Sequence, residues 1–286
     1  MVTFSQVTFG YGHRPLFAGL DLRLELGGCY GLLGLNGAGK TSLLKLAAGA
    51  LLPRSGSIEV FGRSPGQRSA AHLAEVAFVA EDPRAPAMTL PEWLSRTAVF
   101  RPAFDREGFA KLCADFELPA DRRISAWSYG QRKKFALAAA LASGARFILL
   151  DEPTNGLDIP AKMQLRRALA SFTGPDRILL VSTHQVRDLE SLMDPIIVVD
   201  KGRTVFRAGM QELGSRLSTQ RLSDLEGRSV VTARRDAVGW SALLAEPGQA
   251  LDLELVFEAA VTVPARLTQA LAGENLPEPI PAEALS

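Results

Sequence analysis

The sequence predicts an α/β fold: a phosphate-loop core of mixed sheet with helices on both faces, an N-terminal antiparallel β subdomain, an inserted α-helical subdomain and a small C-terminal α+β extension. Three observations predict it. An apolar run, Cys29 to Leu33, enters Gly34 to Thr41, which reads Gly-Leu-Asn-Gly-Ala-Gly-Lys-Thr and leads into the helix-forming Leu43 to Ala48. Two more apolar runs, Arg146 to Leu150 and Ile178 to Thr183, have the length and continuity of strands buried on both faces. Between loop and acidic strand, Thr89 to about Ala126 carries a helical pattern broken by Pro91, Pro102 and Pro119.

The loop carries the chemistry. Glycines there tolerate positive φ and leave room for a polyphosphate, so the N–H groups of Asn36, Gly37, Ala38 and Gly39 can point at its oxygens. Lys40 adds a point charge, Thr41 a hard oxygen for Mg²⁺, and Ser42 continues the helix whose N-terminus favours an anion. In a chain of 286 residues the four fixed positions of this motif arise by chance on the order of 1% of the time. Nucleotide binding is the expectation.

Composition bounds the rest. The chain is 47% hydrophobic with a net charge of +1, and its basic residues are dispersed, so nucleic acid is not an expected partner. The two cysteines, Cys29 and Cys113, fit reduced core thiols better than a disulfide framework. No signal-peptide order and no run of eighteen apolar residues is present, which points to a cytoplasmic protein.

In chain order, Val2, Phe4, Val7 and Phe9 give a first strand, and Leu20 to Leu26 alternate with polar residues as a second. Tyr11 lies in the turn between them, where its ring could stack on adenine or be an ordinary turn aromatic. Ser57 to Phe61 and Val76 to Val79 read as strands, the latter ending at Glu81. Lys133 to Ala142 is an Ala/Leu-rich helix.

Asp151 and Glu152 close the acidic strand, on the sheet edge where ligands of open parallel sheets bind. Asp151 is placed to hold Mg²⁺ through water, and Glu152 to take a proton from the water attacking a γ-phosphate. His184 ends the next strand; it can contact that phosphate or stand as a surface histidine. Pro195 to Val199 and Thr204 to Phe206 close the core. A polar helical stretch is expected from about Leu217, a strand at Val230-Val231, alternation at Leu251, Leu253 and Leu255, and an unpacked, Pro- and Glu-rich tail from Gly273.

Together Gly34 to Thr41, Ser128-Tyr129-Gly130-Gln131, Phe147 to Glu152, Asn155-Gly156-Leu157-Asp158 and Ser182-Thr183-His184 resemble, in order and spacing, an ABC-type ATPase over about residues 2–213. The resemblance implies one ATPase unit over 1–215, with its helical subdomain at about 88–142, then an accessory region over 216–272 and a tail over 273–286. It implies ATP and Mg²⁺, with Thr41, Glu81 and Asp151 toward the metal, Glu152, His184 and Lys40 catalytic, and Tyr11 on adenine. It further implies a head-to-tail dimer, with itself or a similar ATPase subunit, in which Ser128, Gly130 and Gln131 of one subunit meet the γ-phosphate held by the other, and Asp158 joins the sites. Separate transmembrane permease subunits are the implied partners, with the chain peripheral on the cytoplasmic face of the membrane. Asp252 to Phe257 resembles the end of ATPase subunits of ABC-2 exporters. The alternatives are a soluble ABC-type ATPase acting as an assembly or regulatory switch, and a regulatory module that hydrolyses poorly.

Two positions depart from the family pattern. Glu81 stands where a Gln is usual, keeping oxygens for Mg²⁺ but losing an amide donor, which is expected to alter coupling to a partner. Trp127 and Tyr129 replace the Leu and first Gly of the signature, while the Ser128 hydroxyl and the Gly130 amide remain.

Overall fold

The chain alternates short apolar strands with amphipathic helices, and this pattern buries a mostly parallel sheet between a helical layer on one face and a helix with an antiparallel β layer on the other. A computed structural model describes residues 1–248 and 250–276. Strands β1 (Val2–Tyr11) and β2 (Arg14–Leu24) form an antiparallel hairpin. β3 (Cys29–Leu33) enters the phosphate loop, α1 (Lys40–Ala47) leaves it, and β4 (Ser55–Val60) returns to the free edge of β1, giving the order β2-β1-β4.

After α2 (Ala70–Glu75) and β5 (Val76–Val79) comes the helical insertion: α3 (Leu90–Thr97), α4 (Arg106–Asp115) and α5 (Tyr129–Leu141). Thr89 with Glu92 forms a capping box on α3, and Asp105 caps α4. Trp93 meets Phe109 and Phe135 at ring-centroid distances of 5.4 and 5.0 Å, an aromatic cluster that fixes α3, α4 and α5 together. The chain then re-enters the core through β6 (Phe147–Asp151), α6 (Ile159–Phe172), β7 (Ile178–Thr183), β8 (Ile196–Asp200) and β9 (Arg203–Ala208). The main sheet has the order β5-β6-β7-β3-β8-β9, parallel except for β9.

Alternate residues of each central strand serve opposite cores. Phe147 and Leu149 of β6 pack with α1 and the hairpin, whereas Ile148 and Leu150 pack with the helical layer on the other face. Cys29 is buried and its thiol is pushed up to about 12 by burial, with Asp194 adding to it; burial likewise raises half-buried Cys113 to about 11. Both remain thiols. Among the described residues no helix is long and apolar enough to cross a membrane.

The C-terminal part corrects three expectations. After α7 (Met210–Gly214), the polar stretch from Leu217 is a strand, β10 (Ser218–Leu222), because its backbone pairs with β12 (Trp240–Leu244) beside β11 (Val230–Arg235). The alternating leucines do not form a strand: Asp252 caps α8 (Leu253–Thr262), whose Leu253, Val256 and Ala260 are buried at helical spacing. α9 (Pro264–Ala272) follows, and both helices bury into the same core as Ile196, Val198 and Met193. The first residues of the expected tail are packed. Gly273 ends α9 in the left-handed conformation, the Glu274 N–H donates to the Gln269 carbonyl at 3.0 Å, and Leu276 packs on the core, while residues 277–286 lie outside the described residues.

His72, on α2, is buried with neither ring nitrogen in a well-formed hydrogen bond. Burial and the Arg68 and Arg63 charges lower its pKa, outweighing the nearby Ala48 carbonyl. The folded chain therefore holds the ring neutral to a lower pH than the unfolded chain, which takes up a proton below about pH 6.5. This group's contribution is fully present above that pH and is lost as pH falls. We expect His72→Leu to lose less stability than wild type between pH 7 and 5 in denaturant titrations; equal losses would show that His72 does not set the slope.

Candidate active site

Three parallel strands end together and bring their following residues to one edge. The phosphate loop follows β3, and Gly39 in it has φ +105° with a Cβ position 2.7 Å from the Phe17 ring, so glycine is required there. Asp151, the last residue of β6, is buried; one carboxylate oxygen accepts from the Thr41 hydroxyl at 2.8 Å and the other from the Ser182 hydroxyl at 2.6 Å. Glu152 then turns sharply with φ +44°, and its N–H donates to the Ser182 carbonyl at 3.0 Å. That left-handed backbone is strained for a non-glycine residue, and it folds the carboxylate back toward the loop. Glu152 Oε1 lies 2.9 Å from His184 Nδ1 and 3.8 Å from Lys40 Nζ, while Oε2 accepts from the His184 N–H at 3.2 Å. Lys40 Nζ also donates to the Gly34 carbonyl at 2.7 Å, so its buried charge is solvated from both sides.

A cavity of about 330 Å³ opens over the loop. It is lined by Tyr11, Asn36, Gly37, Gly39, Lys40, Thr41, Ser42, Glu81 and Glu152, so nine of the expected residues meet at one place. Ala38 is buried within the loop. Tyr11 is 57% exposed, edge-on to Phe9, with its hydroxyl 3.1 Å from Ser42 Oγ, which leaves a ring face open at the cavity rim. Glu81 Oε1 accepts from Asn155 Nδ2 at 2.7 Å.

The remaining expected residues stand outside that cavity. Ser128 caps α5, its hydroxyl accepting from the Gln131 N–H at 3.2 Å while Gln131 Oε1 accepts from the Ser128 N–H at 3.0 Å. Asp158 caps α6 by accepting from the Ala161 N–H at 2.9 Å. Gly130 lies beside Gly156, whose carbonyl oxygen is 3.4 Å from the Cβ position of Gly130. These groups form a second surface with the N-terminus of α5 exposed on it.

A hard divalent cation fits the donors present. Thr41 and Asp151 are within one hydrogen bond of each other and Glu81 faces the same cavity, all through oxygen. Among the described residues no group of three or more His, Cys, Asp or Glu gathers at one point.

The ABC transporter family pattern matches residues 17–155, which include the loop, the Ser128 stretch and the acidic strand. The chain is 32% identical over 217 residues, 71% of its length, to the Nod factor export ATP-binding protein I of Burkholderia orbicola, and covers 69% of that protein. The chain belongs to the ABC transporter family. It is an ATP-binding subunit of that family and an ATP hydrolase. Its fold is similar to the solved ATP-binding subunit of an ABC transporter, with a TM-score of 0.67 at 24% identity over 74% of this chain and 91% of that one. A dimeric ATP-binding cassette bound to ADP and Pi gives a TM-score of 0.64 at 20% identity, over 73% and 99% of the two chains.

In this ABC subunit the two departures from the family pattern touch. The Tyr129 hydroxyl donates to the Glu81 carbonyl at 2.7 Å. One turn along α5, fully buried Lys133 donates to the same carbonyl at 2.7 Å and to those of Ala80 and Asp151 at 3.2 Å each. Burial pulls the Lys133 ammonium down to about 8 against the pull of Glu81, Asp151 and Glu152. Sequence analysis gave Lys133 and Ser182 no part in the site. A lysine four residues after Tyr129 shares its helix face, and a serine inside an otherwise apolar strand has to find a partner; both signals were present.

Gly156 has φ +74°, and a Cβ there would lie 2.3 Å from the Tyr129 ring. Gly156→Ala is expected to destabilise the protein by the left-handed backbone cost of about 1–2 kcal/mol plus a steric part. Adding Tyr129→Ser should recover only the steric part. Melting curves of both variants check this; an unaltered Gly156→Ala protein contradicts the contact.

Proposed function

We propose that this ABC subunit powers export through separate membrane-spanning polypeptides, as one half of a head-to-tail dimer that closes on ATP and opens after hydrolysis. The dimer reading is supported by the separation of Ser128, Gly130, Gln131 and Asp158 from the cavity holding Lys40 and Glu152 in the same chain. A second copy, or a similar ATPase subunit, would bring the exposed N-terminus of α5 to that cavity, and a helix N-terminus suits an anion. The export direction is supported by the likeness to a protein named for Nod factor export and by the resemblance of Asp252 to Phe257 to ABC-2 subunits. Such a dimer sits peripherally on the cytoplasmic face of the membrane, on its transmembrane partners.

In the proposed chemistry Tyr11 stacks on adenine, and the loop from Asn36 to Ser42 cradles the phosphates with its N–H groups and Lys40. Thr41, Asp151 and Glu81 would hold Mg²⁺, Asp151 through water. Bound there, the ion would supply positive charge against that of the phosphates. Glu152 accepts a proton from the attacking water, and His184 holds that water or the γ-phosphate. Lys40 and the loop amides stabilise charge on the transferring phosphoryl group.

The observation that carries the proposal is the Glu152 carboxylate, folded back beside Lys40 and His184 at the phosphate loop. Steady-state ATP turnover of wild type and Glu152→Gln, with nucleotide affinity measured in parallel, tests it. We expect Glu152→Gln to lose about 10²–10⁴-fold in turnover and keep its affinity. Turnover at the wild-type level would remove Glu152 from the role of base.

A further inference from the structure

One residue, Gln185, separates His184 from a single 3-10 turn, Val186–Asp188, and that turn is gripped from two sides. Its core side is Val186, buried against the helical layer. From α6, Lys162 Nζ meets Asp188 Oδ2 at 2.7 Å and the Arg166 guanidinium donates to the Asp188 carbonyl. From the C-terminal unit, the first turn of α8 holds Arg187, whose Nη2 lies 3.0 Å from Glu254 Oε2 and 3.5 Å from Asp252 Oδ2.

Those two carboxylates are themselves fixed to the C-terminal sheet. The Asp252 N–H donates to Thr219 Oγ1 of β10 at 2.9 Å, and Asp252 caps α8 by accepting from the Glu254 N–H at 2.8 Å. Arg234 of β11 reaches Glu254 at 3.7 Å and Glu258 at 2.7 Å. A continuous set of contacts therefore runs from the C-terminal sheet through α8 and Arg187 to the segment that begins at His184. The Arg187 side chain is 65% exposed, so these ion pairs add little to stability.

We infer that Arg187 is a positioning residue for ATP hydrolysis, and that the C-terminal unit sets the placement of His184 through Asp252 and Glu254. The inference rests on the reading of His184 as the group that contacts the γ-phosphate or its water. It gives the C-terminal unit a part in turnover although none of its residues lines the nucleotide cavity.

The test is a cycle on the full chain. Single-turnover rates at saturating Mg-ATP and excess enzyme, with steady-state kcat and KM where measurable, are compared for wild type, Arg187→Gln, His184→Ala and the double variant. We expect Arg187→Gln to lower the rate about three- to tenfold with KM within twofold, and Arg187→Lys to keep more than half the rate. In the His184→Ala background, Arg187→Gln should add no further loss. Arg187→Glu should be as slow as Arg187→Gln and be partly restored by Glu254→Arg. An equal fold-loss from Arg187→Gln in both backgrounds would make Arg187 a general structural residue and overturn the inference. If His184→Ala lowers the rate while Arg187→Gln does not, the inference alone fails. If His184→Ala turns over like wild type, the reading beneath it fails.

Discussion

The buried carboxylate of Asp151 constrains the rest of the active-site edge. A carboxylate out of water is costly unless donors surround it, and here the hydroxyls of Thr41 and Ser182 supply them while Lys133 takes the Asp151 carbonyl. Each donor comes from a different element: Thr41 from the start of α1, Ser182 from β7 and Lys133 from α5. Satisfying one residue thereby fixes the register of the phosphate loop, the acidic strand, the following strand and the signature helix against one another. Lys40 stands next to Thr41, Glu152 next to Asp151 and His184 two residues past Ser182. The functional groups are adjacent to the groups that satisfy the buried charge.

The same edge holds its strain in one place. Glu152 adopts a positive φ without being glycine, and the contacts of its N–H with Ser182 and of its carboxylate with His184 and Lys40 keep it there. Glu81 is held in a complementary way. Its carbonyl is clamped by Tyr129 and Lys133, and its side chain reaches Asn155, which in turn accepts from Gln185 beside His184. A path of hydrogen bonds thus links the signature helix to the segment after His184 within a single chain. Replacing the usual signature glycine with Tyr129 built this link, and Gly156 leaves the space that the ring occupies.

Much of this was legible in the sequence because its signals are local. The phosphate loop, the apolar strands and the acidic pair each declare themselves within eight residues, and their placement on one sheet edge follows from parallel-strand geometry. The C-terminal extension was less legible. Ser218 to Leu222 is polar and becomes a strand only by pairing with Trp240–Leu244, a partner about twenty residues away. Leu251, Leu253 and Leu255 fit a strand period over three positions, while the helix they enter is decided by the Asp252 cap and by burial of Val256 and Ala260. In sequence Lys133 only opens an Ala/Leu-rich helical stretch; it is the packing of α5 beside the ends of β5 and β6 that takes it out of water.

We propose that each chain carries two separate halves of an ATP site, the cavity over the phosphate loop and the exposed N-terminus of α5, which a second subunit brings together. The most direct measurement is the molar mass of Glu152→Gln in solution by light scattering, with and without Mg-ATP, beside the same protein carrying Ser128→Arg at the start of α5. The expected result is a mass that doubles with Mg-ATP in the first protein and stays at one chain in the second. A mass that does not change with Mg-ATP, or that doubles equally in the Ser128→Arg protein, would contradict the claim.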